Sequence, residues 1–128
     1  MARNRNSAKA AGQRFESLVA TYLNTHVDDR IERRRMSGAN DRGDISGLRH
    51  MGGRIVVECK DYGGQLKPGP WVEEAHIEAG NDSALLGIVV AKRRGTTAPG
   101  DQFVLMTLAD LVALLTGSRD HVEANNDQ

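Results

Sequence analysis

The residues best suited to chemistry are Asp44, Glu58 and Lys60. Arg54 to Lys60 is an apolar run with β-branched Ile55, Val56 and Val57 at its centre, and it predicts a strand. Side chains alternate along a strand, so Glu58 and Lys60 share one face while Val57 and Cys59 take the other, towards a core. An acid and a base on one face of an otherwise apolar strand cost desolvation unless that face opens on a cleft with partners. A turn centred near Met51 brings Asp44 almost opposite Glu58. Cross-strand partners hold their Cβ atoms about 4.5–5.5 Å apart. Two carboxylates that close repel unless a cation lies between them. Mg²⁺ is the natural one, since it takes oxygen ligands and one or two carboxylates while phosphate completes its shell. The carbonyl of Cys59 is a further candidate ligand. Such a cation suits phosphodiester hydrolysis, and Lys60 would orient the attacking water and neutralise developing charge. The competing reading is an ordinary solvent-facing Glu58–Lys60 pair on an edge strand. Asp41 is a competing carboxylate, but the strand register favours Asp44.

The elements that must position these residues can be read along the chain. The first 11 or so residues are polar and basic and read as a flexible arm, whether solvated or ordering on DNA. From Gln13 to Asn24 the residues Phe15, Leu18, Val19, Tyr22 and Leu23 form a helical stripe. Ile31 to Met36 is a candidate strand, Ser37 to Gly43 a loop, and Asp44 to Leu48 a short strand. A turn over His50 to Gly53 leads into the Arg54 strand. Pro70 opens a helix that runs to about Ala79. Leu85 to Lys92 lacks alternation, which predicts a central strand buried on both faces. Phe103 to Met106 is a last strand, and a helix over Leu108 to Leu115 ends at Gly117. The order is α-β-β-β-α-β-β-α, an α/β domain with a mixed sheet of about five strands flanked by helices. The domain spans residues 12–117, and 118–128 form a polar, acidic tail.

Composition restricts the alternatives. A chain of 128 residues fits one domain with a modest core. Lys plus Arg number 17 and Asp plus Glu number 17, so bulk charge announces no nucleic-acid partner. Local basic clusters do. Arg33, Arg34 and Arg35, and then Lys92, Arg93 and Arg94, are candidates for salt-dependent contact with phosphates. Cys59 is the single cysteine, which excludes an intramolecular disulfide and a zinc site of several thiolates. No apolar run is long enough to span a bilayer, and no secretory h-region opens the chain. The expectation is a soluble cytoplasmic protein without a small-molecule cofactor; the basic start leaves a mitochondrial-type presequence as an alternative. His26, His50, His76 and His121 show no metal spacing, and Trp71 reads as a core or interface anchor.

The ordered set Glu16, Ser37-Gly38, Asp44 and Glu58-x-Lys60 resembles the PD-(D/E)XK nuclease superfamily, over roughly Gln13 to Leu115. It is most similar to archaeal-type Holliday junction resolvases and their phage counterparts. The continuations Trp71-Val72-Glu73-Glu74-Ala75 and Val90 to Gly95 look like small actinophage resolvase-type proteins. The resemblance implies a restriction-endonuclease-like fold with Asp44 and Glu58 binding Mg²⁺ or Mn²⁺ and Lys60 catalytic. It also implies Glu16 as a further acidic residue near the metal, Ser37 near the scissile phosphate, and a homodimer that cuts four-way DNA junctions in the cytoplasm, the host's if the chain is phage-encoded. The Pro of the family's first motif is Gly43 here, and glycine permits the bend. Other nucleases on the same fold, of restriction, repair or end-processing type, share these residues, and a non-catalytic DNA-binding module is a further alternative.

Overall fold

The structure is a computed structural model that describes residues 4–34 and 41–122. Helix α1 (Arg5–His26) opens at Asn4, whose side chain accepts the Ser7 N–H at 2.8 Å. That cap satisfies one of the donors that a helix N-terminus leaves free. The helix therefore begins ahead of the apolar stripe, and residues expected in a flexible arm are its first turns. Phe15 and Val19 of the predicted stripe are buried with Ala11 and Ala20, Leu18 and Leu23 pack beside them, and Tyr22 is exposed.

Strands β1 (Glu32–Arg33), β2 (Ile45–Ser46), β3 (Arg49–His50) and β4 (Gly53–Lys60) follow. Met51 and Gly52 both have positive φ and form the tight turn between β3 and β4. Helix α2 (Pro68–Asn81) starts with proline in its first turn and leads to β5 (Leu86–Ala91). A single 3-10 turn (Pro99–Asp101) precedes β6 (Phe103–Leu105) and α3 (Leu108–Thr116). Thr107 and Asp110 cap α3 reciprocally, and Gly117 closes it in the left-handed conformation at φ 75°. The end of α3 at Gly117 was legible in the sequence.

The sheet order is β1-β2-β4-β5-β6, with β3 also paired to β4. The β4–β5 pair is parallel and the other pairs are antiparallel, so the sheet is mixed as expected. Among the described residues it has six strands where the sequence predicts about five, because β2 and β3 are separate segments of the stretch that leads to the turn. Helices α1 and α3 cover one face. Phe15, Val19, Ile31, Ile45, Val57 and Val90 make one cluster there, and Ile55, Leu86 and Ala113 make another. Helix α2 covers the opposite face, where Trp71 and Ala75 lie on Val89 and Ala91. Strand β5 is buried on both faces, as its unbroken apolar run predicts. Its Gly87 is what lets α2 come close, because a Cβ there would strike the Ala75 carbonyl.

Beyond Gly117 the chain is tied down at Arg119, which donates to the Leu85 carbonyl at 3.2 Å and pairs with Asp110 at 3.1 Å. Among the described residues, no helix is long and apolar enough to cross a membrane.

Candidate functional site

The C-terminal end of β4 carries the site. Val57 and Cys59 point into the cluster under α1. Glu58 and Lys60 point the other way, to α2, where Lys60 meets Glu74 and Glu58 meets Glu78. Asp44 directly precedes β2. The antiparallel partner of Ile45 is Val57, so Asp44 falls opposite Glu58. Two further bonds lock it there. Its N–H donates to the Val57 carbonyl at 2.8 Å, and its Oδ2 accepts the Cys59 N–H at 2.7 Å. The Asp44–Glu58–Lys60 grouping read from alternation and turn position is present.

Gly43 shapes the approach to Asp44. Its φ is 92°, and a Cβ would lie 2.6 Å from Val56 Cγ1. Proline fixes φ near −65°. The chain therefore reaches Asp44 by a path that a proline at this position would forbid, a larger departure from the resolvase pattern than a tolerated exchange.

The carboxylates stand in poorly solvated surroundings. Glu58 is 6% exposed, and its Oε2 has no hydrogen-bond partner. Burial first, then the neighbouring Glu78, push its pKa up to about 9. Burial and the charge of Glu58 push Asp44 up to about 8. Lys60 places Nζ 3.6 Å from Glu58 Oε1 and 2.7 Å from Glu74 Oε2. Burial pulls that ammonium down, but the bond to Glu74 and the charge of Glu58 outweigh it and its pKa is raised. One ammonium thus faces two carboxylates. Burial also pushes the Cys59 thiol well above its ordinary range, which makes it a core group and not a nucleophile.

The structure adds one acid that the sequence reading missed and one that it set aside. Glu78 of α2 is 2% exposed, and neither of its carboxylate oxygens has a partner. Burial first raises its pKa to about 7. Asp41, set aside in favour of Asp44, lies with Glu58 and Glu78 so that one oxygen from each falls within 4.8 Å of the others. A signal for Glu78 existed: it follows Trp71 and Ala75 on the buried stripe of α2, where a charged residue needs a reason.

Glu16 lies on α1 and bonds Arg33 Nε through Oε2 at 3.0 Å. Both line a cleft of about 690 Å³ with Lys9, Arg34, Asp41 and Asp44. The cleft brings Glu16 and two of the three consecutive arginines alongside Asp44. Arg34 also pairs with Asp82 at 3.4 Å. Ser37 and Arg35 lie outside the described residues. The Lys92 cluster is differently occupied. Lys92 Nζ donates to the carbonyls of Arg93 and Thr96, Arg93 lies over the Phe103 ring at 5.2 Å, and Arg94 reaches the Gly63 carbonyl at 3.4 Å. Lys92 thus braces its own loop. His76, one of the histidines without metal spacing, bonds Asp110 at 2.7 Å.

Asp41, Glu58 and Glu78, with Asp44 adjoining Glu58, offer only oxygen donors, and three of the Glu58 and Glu78 oxygens are buried without partners. That chemistry fits a hard divalent cation such as Mg²⁺ or Mn²⁺ and does not fit a thiolate-preferring metal. The chain matches no family model, no curated protein and no solved structure.

Proposed function

We propose that this chain is a Mg²⁺-dependent DNA endonuclease of the PD-(D/E)XK type, acting as a homodimer on branched DNA such as a four-way junction. The observation that carries the reading is the facing of Asp44 and Glu58 across β2 and β4, with Lys60 on the same face beside unpartnered carboxylate oxygen. Asp44 and Glu58 would hold the cation, with the Cys59 backbone carbonyl as a further ligand and Mn²⁺ as a substitute. A divalent cation there supplies Lewis-acid charge that polarises a phosphodiester and acidifies water. Lys60, already held by Glu58 and Glu74, orients the attacking water and offsets negative charge on the phosphate. Glu16 adds a carboxylate at the cleft wall and holds Arg33 by its guanidinium. Arg33 and Arg34 at the cleft, with Arg35 and Ser37 next to them in sequence, would contact the DNA backbone, and Arg93 and Arg94 would extend that contact. With a formal charge of zero, affinity comes from this local surface and not from a basic domain. The setting we propose is the cytoplasm, the host's if the chain is phage-encoded.

The test compares a synthetic four-way junction, linear duplex, single strand and flap in Mg²⁺. Paired symmetric nicks near the branch point, with duplex intact, support a resolvase. Equal cutting of linear duplex favours a restriction, repair or end-processing nuclease on the same site. Asp44→Asn and Lys60→Met should each lower cleavage by roughly a hundredfold or more. Cleavage that survives both changes sinks the site. Binding of DNA without any cleavage by the wild-type chain would make it a non-catalytic module.

A further inference from the structure

We infer that Asp41, Glu58 and Glu78 form a divalent-cation position of their own, adjoining Asp44, with helix α2 supplying the decisive ligand. The inference goes beyond the nuclease reading, because it concerns a cation-binding position whether or not DNA is cut.

The geometry starts from Glu78. A glutamate buried to this degree against a sheet is retained only where something compensates its charge. No amide, hydroxyl or ammonium donor reaches either of its oxygens, which face only the carboxyls of Glu58 and Asp41. Apart from burial, the groups acting on it are the carboxylates Glu58, Asp41 and Glu74. Lys60 does not serve it, because its ammonium is already placed between Glu58 and Glu74. Glu74 and Glu78 are four residues apart on α2, a spacing at which like charges destabilise a helix. The arrangement makes sense if each meets positive charge: Lys60 for Glu74, a bound cation for Glu78.

Glu58 Oε2 is the third unpartnered oxygen, on a side chain only 8% exposed. Asp41 completes the set from the solvent side. It is held in place twice, since its Oδ1 accepts the Gly43 N–H at 2.9 Å and its carbonyl accepts Asn81 Nδ2 at 2.8 Å. The second bond fastens the Asp41 segment to the last turn of α2, next to Glu78. A shallow cleft of about 360 Å³, lined in part by Asp41, Glu74, Glu78 and Asn81, leads to the carboxylates from solvent. Asp44 contributes differently, because its Oδ2 is engaged by the Cys59 amide. Three carboxylates with no nitrogen or sulfur donor select a hard cation of the Mg²⁺, Mn²⁺ or Ca²⁺ kind.

The experiment is a Mn²⁺ titration followed by electron paramagnetic resonance and calorimetry, on the metal-free full chain at neutral pH, with Ca²⁺ as competitor. Wild type should bind, and Glu78→Gln and Asp41→Asn should each weaken the affinity of one site at least tenfold, while Asp44→Asn leaves that site measurable. Glu78→Gln is close to isosteric and Asp41 is exposed, so both variants should fold; thermal melting in chelator checks this. Unchanged Mn²⁺ binding in Glu78→Gln overturns the inference and leaves Glu58 and Glu78 as two carboxyls sharing a proton. Absence of Mn²⁺ binding in wild type overturns it as well. Binding that depends on Glu78 in a chain that cuts no DNA would sink the nuclease reading alone. Cleavage that depends on Asp44 and Lys60 with binding indifferent to Glu78 would sink this one alone.

Discussion

Replacing Glu58 by Gln should stabilise the metal-free protein, and the gain should grow with pH. In the folded chain the Glu58 carboxyl has a pKa of about 9, against an ordinary 4.5 when unfolded. Because the folded value is the higher one, the folded chain keeps a proton that the unfolded chain has lost. Stability therefore falls as pH rises from about 4.5 towards about 9, at roughly 1.4 kcal/mol per pH unit for one proton. At about pH 7 this is 2.5 units, on the order of 3 kcal/mol; at about pH 5 it is under ~1 kcal/mol. The side chain is only 8% exposed, so solvent screens little of this. Gln is neutral at every pH and carries no such slope. Lys60, 2.7 Å from Glu74 in the unsubstituted chain, still has that partner when Glu58 is neutral. The expected outcome in chelator is a melting temperature roughly 10 °C above wild type near pH 7 and little gain near pH 5. Adding Mg²⁺ should close the gap by raising wild type, since a ligand bound only to the folded state stabilises it. Urea titrations at both pH values give the free energies. An equal gain at the two pH values would mean that packing, not ionisation, is responsible. A loss of stability near pH 7 would refute the electrostatic reasoning outright.

Two predictions concern the frame that holds the site. Asp110→Ala should cost about 3–5 kcal/mol in urea unfolding, because it removes the carboxylate half of the α3 capping box and leaves Arg119 and His76 without their shared carboxylate. Gly87→Ala should lower stability by about 1–3 kcal/mol, because the new methyl group must push α2 off β5. The same change should weaken Mn²⁺ binding, since α2 carries Glu78. A melt matching wild type with intact Mn²⁺ binding would show that the close approach is dispensable.

Much of the site was legible in the sequence because it depends on short-range rules. Alternation places Glu58 and Lys60 on one face and Cys59 on the other. The Met51-Gly52 turn then fixes the register that sets Asp44 against Glu58. The β5 strand announced its central place by its unbroken apolar run, and α3 announced its end by Gly117. The start of α1 was less visible, because its first turns carry no apolar stripe and rest on the Asn4 cap.

Tertiary structure alone decided the rest. Which face of α2 meets the sheet follows from Trp71 and Ala75 packing on β5 and from the space over Gly87. Only that rotation buries Glu78 beside Glu58 and lets Glu74 reach Lys60. Asp41 joined the group through a bond to Asn81, a partner 40 residues away. Local sequence spacing also left open which basic residues are already engaged: Lys92 braces the Thr96 loop and Arg34 reaches Asp82. The sequence by itself determined the Asp44–Glu58–Lys60 triplet, because strand pleat and turn geometry act over a few residues. The remaining acids around it were decided by the docking of a helix, which depends on side-chain shapes distributed across the whole sheet.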